Sequence, residues 1–140
     1  MSDRKPQGET PLQINLRTMA PPLALQLLHL LLACAWNVLG LWRLAQGEPA
    51  PGPSASWLAV GALVCLSIAL VLGVMRWPIL YWVASAVIVI AVAPAIWGAF
   101  VRDAADWSTP RWRWGGALLN TFGVASAVWG CLRLRRLRST

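Results

Sequence analysis

The chain has 140 residues, a net charge of +7 and 58% hydrophobic content, with only 12% charged residues. That balance leaves no length for a soluble domain beside a membrane one. It also removes the usual reading of a basic chain as a nucleic-acid binder, because the cations are short flanks of apolar segments and not a folded basic face. Four segments, 23–45, 57–75, 79–101 and 112–132, contain no Asp, Glu or Lys. Each is close to the ~20 residues that a helix needs to cross ~30 Å of hydrocarbon, and none shows the two-residue alternation of barrel strands. The expected fold is an all-α membrane protein, with four transmembrane helices forming an antiparallel bundle over residues 22–134.

Residues 1–21 read as a polar cytoplasmic tail. Within it, Thr10-Pro11 is suited to start a short interfacial segment with Leu12, Leu16 and Met19 on one side. Pro21-Pro22 is expected to break the chain and open span one, since proline is tolerated in a first helical turn and not further in. Leu31-Leu32-Ala33-Cys34 has the outline of a lipoprotein cleavage box. The sequence stays apolar from Ala35 to Trp42, where a lipoprotein would begin a polar tether, so an uncleaved span is expected. The loop 47–54 carries three prolines, which exclude regular structure.

Span two carries Gly61, Cys65, Ala69 and Gly73 at strict four-residue spacing, a small-residue ridge that admits the close approach of another helix. Arg76-Trp77-Pro78 is too short for anything but a tight antiparallel hairpin into span three, where Pro94 is expected to introduce a kink. Ser108-Thr109-Pro110 combines a cap residue with a first-turn proline, so span four is expected to start outside the hydrocarbon. It carries Gly116, Asn120, Gly123, Ala127 and Gly130 at alternating spacings of four and three, which keeps one stripe facing a partner. Residues 135–140 form a basic cytoplasmic tail.

Polar residues within the spans are few. Span one places Gln26, Ala33, Asn37 and Gly40 on one seam, with His29 beside it. Asn37 and Asn120 lie at matching depth, ~5 Å to the outer side of the midplane. A buried amide has two donors and an acceptor to satisfy, so the two are expected to pair and to make spans one and four neighbours. Gln26, His29, Asn37 and Asn120 therefore form a possible polar site, against the plainer reading of interhelical hydrogen bonds. His29 is expected to be structural, bonded to Ser85 or Ser126. A second possible contact is Trp107, Arg111, Trp112, Arg113 and Trp114, whose mixture of indole and guanidinium suits a lipid phosphate or an acidic loop of a partner. Asp103 and Asp106 are expected to pair with Arg102 or Arg111.

Nine of the ten tryptophans lie at the span ends. Trp42, Trp57, Trp97, Trp107, Trp112 and Trp114 gather at one side and Trp77, Trp82, Trp129 and Tyr81 at the other, as two interfacial belts, with Trp36 alone deep in a span. Eight Arg and Lys residues flank the side of the termini, Arg4, Lys5, Arg17, Arg76, Arg133, Arg135, Arg136 and Arg138, against four on the other side. The positive-inside rule then puts both termini in the cytoplasm, in what is expected to be a bacterial inner membrane. Cys34, Cys65 and Cys131 all fall within spans and form no CxxC or Cys/His pair, so they read as small packing residues.

No Ser/His/Asp set, HExxH, carboxylate pair or phosphate loop is present, and neither an enzyme nor a cofactor or metal site is expected. In length and span number the chain is similar to the small multidrug resistance exporters. Their membrane-embedded glutamate of the first span has no counterpart among Gln26, His29 and Asn37, so the likeness extends to no motif. The leading expectation is a non-enzymatic accessory, assembly or structural subunit that meets other membrane subunits or itself. The alternatives are a homo-oligomeric transporter or flippase, and an immunity-type protein that blocks a toxin within the bilayer.

Overall fold

A computed structural model describes residues 11–53 and 55–138, with side chains from residue 17 onward. The fold is all-helical: α1 Pro11–Ala45, α2 Trp57–Met75, α3 Pro78–Val101 and α4 Pro110–Arg138. Each helix is long and apolar enough to cross a membrane. α1 packs on α2, α2 on α3, α3 on α4 and α4 back on α1, so the four antiparallel helices close into a ring with the described chain ends at the same end. Spans one and four are thus neighbours, as expected.

α1 differs from expectation at its start. It is one helix of 35 residues that passes through Pro21 and Pro22 without ending. Each proline removes a backbone donor, which normally costs ~3 kcal/mol in a helix interior. The helix is held across this point by tertiary packing: Pro22 and Met19 are fully buried, and Met19 joins a core cluster with Leu30, Leu70, Val74, Tyr81, Ala84, Ile88 and Leu134. Residues 11–21 are therefore continuous with span one and not a separate tail, and α4 likewise runs to Arg138, through most of the expected C-terminal tail. Arg4, Lys5, Thr10, Ser54 and residues 139–140 lie outside the described residues, as do the side chains of Leu12 and Leu16.

The α2–α3 turn is as tight as its length requires. The N–H groups of Arg76 and Trp77 both donate to the Leu72 carbonyl, at 2.8 and 3.1 Å. Gly73 makes the return possible, since a Cβ there would lie 2.7 Å from Tyr81 Cα. α3 continues through Pro94 as an unbroken helix. A 3₁₀ turn, Ala104–Asp106, then leads into α4, which starts at Pro110, as the Ser108-Thr109-Pro110 signal predicts.

The loop after α1 folds back over the ring. Gly47 takes φ +76°, the left-handed conformation of a helix C-terminal turn, and Glu48 returns to Arg43 at 3.4 Å. Pro51 is buried, and a Cβ on Gly40 would lie 2.6 Å from Ala55 Cβ. Ser56 caps α2 by accepting from the Ala59 N–H at 3.1 Å. The two ends of the ring are therefore unlike. The end with the termini has a solid apolar core, whereas beneath the loop a cavity of about 240 Å³ opens among Trp36, Pro94, Arg102, Trp107, Arg113 and Asn120.

Candidate functional site: the polar seam between α1, α3 and α4

The small-residue stripe of α4 faces the interior, and large side chains occupy the notches it leaves. A Cβ on Gly116 would lie 3.3 Å from the Trp36 indole, one on Gly123 would overlap the His29 ring, and one on Gly130 would overlap the Tyr81 hydroxyl. Ala127 is buried in the same stripe. His29 and Trp36 are seven residues apart on α1, matching the seven between Gly116 and Gly123 on antiparallel α4. A seven-residue repeat keeps one seam of a helix in register with its neighbour, so the two pairings recur at the same spacing.

Four polar residues are buried along this seam, Gln26, His29, Ser85 and Ser126. Gln26 Nε2 donates to Ser85 Oγ at 3.1 Å, and Ser126 Oγ donates to the Gly123 carbonyl at 2.9 Å. Both serines are committed to these bonds, and neither is the partner expected for His29. That ring lies against the Leu119 backbone and makes an edge contact with Phe122 at 6.3 Å, with neither nitrogen in a well-formed hydrogen bond. Gln26 and Tyr81 are neighbours, and Gln26 Oε1 and the Tyr81 hydroxyl are likewise without well-formed bonds. Tyr81 is fully buried and belongs to this seam, not to the interfacial belt in which the sequence reading put it. Its helical phase carried the signal: Tyr81, Ala84, Ser85 and Ile88 form one buried stripe of α3.

Asn37 and Asn120, on neighbouring helices, do not bond. Asn37 Nδ2 donates to the Ala33 carbonyl at 2.9 Å, and its Oδ1 accepts from the Ser56 N–H at 3.3 Å. Asn37 thus ties the loop to α1, where a partner in its own connecting segment wins over one across the ring. Asn120 lines the cavity instead.

The Arg/Trp cluster is engaged within the chain. Arg113 Nε donates to the Ala99 carbonyl, and Nη2 to that of Phe100 at 3.4 Å. These are two of the last carbonyls of α3, which have no partner within their own helix, so Arg113 acts as a cap supplied by α4. The guanidinium also lies 5.4 Å from the Trp107 ring and 5.5 Å from the Trp114 ring. Trp112 packs edge-on against Trp36, and Trp114 against Phe100. Arg111 is exposed. Asp103 accepts from the Ala105 N–H at 3.1 Å, and no ion pair among the described residues joins Asp103 or Asp106 to Arg102 or Arg111.

The α2 ridge divides at its middle. Gly73 is buried against Tyr81 and Ala69 packs on the core, but Gly61 and Cys65 are exposed, and a Cβ on Gly61 would meet nothing within 4 Å. The outer half of the ridge therefore packs on no helix of this chain. Cys34 and Cys131 are half-buried, and all three cysteines are free thiols. Comparison with protein-family models, curated proteins and solved structures finds no match, so the fold and the site are interpreted from their own geometry.

Proposed function

We propose that the chain is a non-enzymatic, helix-packing subunit of a larger assembly in a bacterial inner membrane, and that it receives another membrane helix on the outer half of α2. The observation that carries this reading is the notch at Gly61 and Cys65. Exposed Leu58 and Ile68 stand at either end of it, so Leu58, Gly61, Cys65, Ile68 and exposed Leu72 make one lipid-facing stripe at three- and four-residue spacing. Lipid gives no hydrophobic reason for helices to associate, and close backbone approach at small residues is a main source of their affinity. A stripe with large residues around a central notch supports that kind of docking.

Crosslinking from Cys65 in native membranes, with Cys34 and Cys131 replaced by Ala, tests the proposal. The expected result is one heteromeric adduct of fixed mass that Gly61→Leu abolishes while the purified bundle melts at an unchanged temperature. A chain that stays monomeric and forms no adduct overturns it. The second reading, a self-assembled transporter or flippase, draws support from the buried polar atoms of Gln26, His29 and Tyr81 that lack well-formed bonds. It requires instead a homomeric adduct, together with solute or lipid movement that Gln26→Leu eliminates. An immunity-type role uses the same notch with a toxin as the adduct.

A further inference from the structure

Two grooves lie side by side on the lipid-facing surface near the termini, separated by Leu132 of α4. The first, about 420 Å³, runs between α3 and α4 among Trp82, Ala86, Ile90, Val128 and Leu132, and Arg135 stands at its rim. Its α4 wall, Val128, Leu132 and Arg135, is a single stripe about 10 Å long at 1.5 Å per residue. The second, about 460 Å³, lies between α4 and α1 and is bordered by Thr18, Trp129, Arg133 and Arg136. The first groove is therefore mostly apolar along its length and basic at one end, whereas the second is lined by Thr18, Arg133 and Arg136 as well as by Trp129, Leu132 and Leu137, at the depth of Arg135.

Arg135 is exposed and takes part in no ion pair or hydrogen bond among the described residues. Arg133, by contrast, stacks over Trp129 at 5.8 Å. The α3 N-terminus, one turn from Trp82, has no side-chain cap, and its peptide dipoles favour negative charge at this same end. Arginines in a helix's last turn often serve only to offset that helix's own dipole. That role requires no apolar groove leading away from the charge.

From this arrangement we propose that the paired grooves bind an anionic glycerophospholipid of the leaflet that faces the termini. One acyl chain lies in the α3/α4 groove, the phosphate rests on Arg135, and the headgroup reaches past Leu132 into the α4/α1 groove. Charge complementarity distinguishes this occupant from bulk lipid: a zwitterionic lipid with the same chains fills the grooves equally well but brings no net charge to the arginines. Basic pockets between membrane helices at the headgroup level have this selectivity, with each Lys or Arg near the surface contributing ~1 kcal/mol, or about five-fold in affinity.

Native mass spectrometry of the full chain in mild detergent tests the site, with dioleoyl phosphatidylglycerol and dioleoyl phosphatidylcholine as matched probes. The expected result is about five-fold tighter binding of the glycerol lipid. Arg135→Gln removes that preference without changing the melting temperature in lipid-free detergent, and Arg102→Gln at the opposite end leaves it intact. Ala86→Trp, which fills the α3/α4 groove, weakens binding of both lipids. Equal affinity of the wild-type chain for the two lipids overturns the proposal. So does a preference that survives Arg135→Gln, or binding that is indifferent to Ala86→Trp.

Discussion

Tyr81 and Gly130 show how one residue's role depends on the face it occupies. An aromatic side chain with a hydroxyl, four residues into a span, has the composition of an interfacial anchor, and its neighbours Trp77 and Trp82 strengthen that reading. The fold instead turns Tyr81 inward, where only glycine at 130 leaves room for its hydroxyl. Two substitutions separate shape from polarity here. Gly123→Leu, which drives a side chain into the His29 ring, is expected to destabilise the bundle by ~1–3 kcal/mol through overpacking. Tyr81→Phe is expected to leave the melting temperature unchanged or raise it, because it removes a buried hydroxyl that lacks a well-formed bond and keeps the ring. Thermal unfolding in a single detergent measures both. A large loss with Tyr81→Phe would mean that the hydroxyl is bonded after all, for instance to Gln26.

At the scale of the element, existence and type were legible and orientation was not. Twenty-residue apolar runs without Asp, Glu or Lys have only one stable form in hydrocarbon, and the four helices match the four segments within a few residues except at their terminal extensions. Which face of a helix meets its neighbour is harder to read, because lipid is as apolar as a leucine core and polarity no longer separates inside from outside. On α4 the four- and three-residue spacing marks an inward face, where Gly116, Gly123 and Gly130 all receive side chains. On the outer half of α2 the four-residue spacing marks a face that turns outward, where Gly61 meets no helix of this chain. Pro21-Pro22 misleads for another reason: proline's cost is a property of the isolated helix, and the burial of Met19 and Pro22 outweighs it. Arg113 stands out in the sequence as a candidate contact for a lipid or a partner but not as a cap, since its acceptors lie 13 and 14 residues away on another helix. Arg113→Leu is expected to release the last turn of α3 and cost ~1.5–3 kcal/mol for the lost charged hydrogen bonds. Amide hydrogen exchange should accelerate in the final turn of α3 and in the 3₁₀ turn beyond it, while Arg111→Leu leaves the rates unchanged.

For the whole molecule, the ring of antiparallel helices brings the described chain ends to one end and turns a count of charges into a statement about sides. Arg17, Arg76, Arg133, Arg135, Arg136 and Arg138 belong to the end with the solid core, and Arg43, Arg102, Arg111 and Arg113 to the end with the loop and the cavity. Two of the second group are already engaged, Arg43 with Glu48 and Arg113 with the carbonyls of α3. Charges retained by local partners after folding still act during insertion, so the rule counts them and the asymmetry stays at eight to four over the whole sequence. The expected orientation therefore puts the core end and both termini in the cytoplasm. Alkaline phosphatase fused after Thr140 should then be inactive, and fused at Pro49 or Pro53 active. Replacing Arg133, Arg135, Arg136 and Arg138 with Gln should weaken this pattern and yield a mixed population, because four and four basic residues then remain on the two sides. If the quadruple variant keeps a single orientation, a signal other than the basic flanks, such as the order in which the spans insert, sets the topology. If the wild-type fusions give the reverse pattern, the cavity and its loop face the cytoplasm and the two lipid grooves face the opposite leaflet.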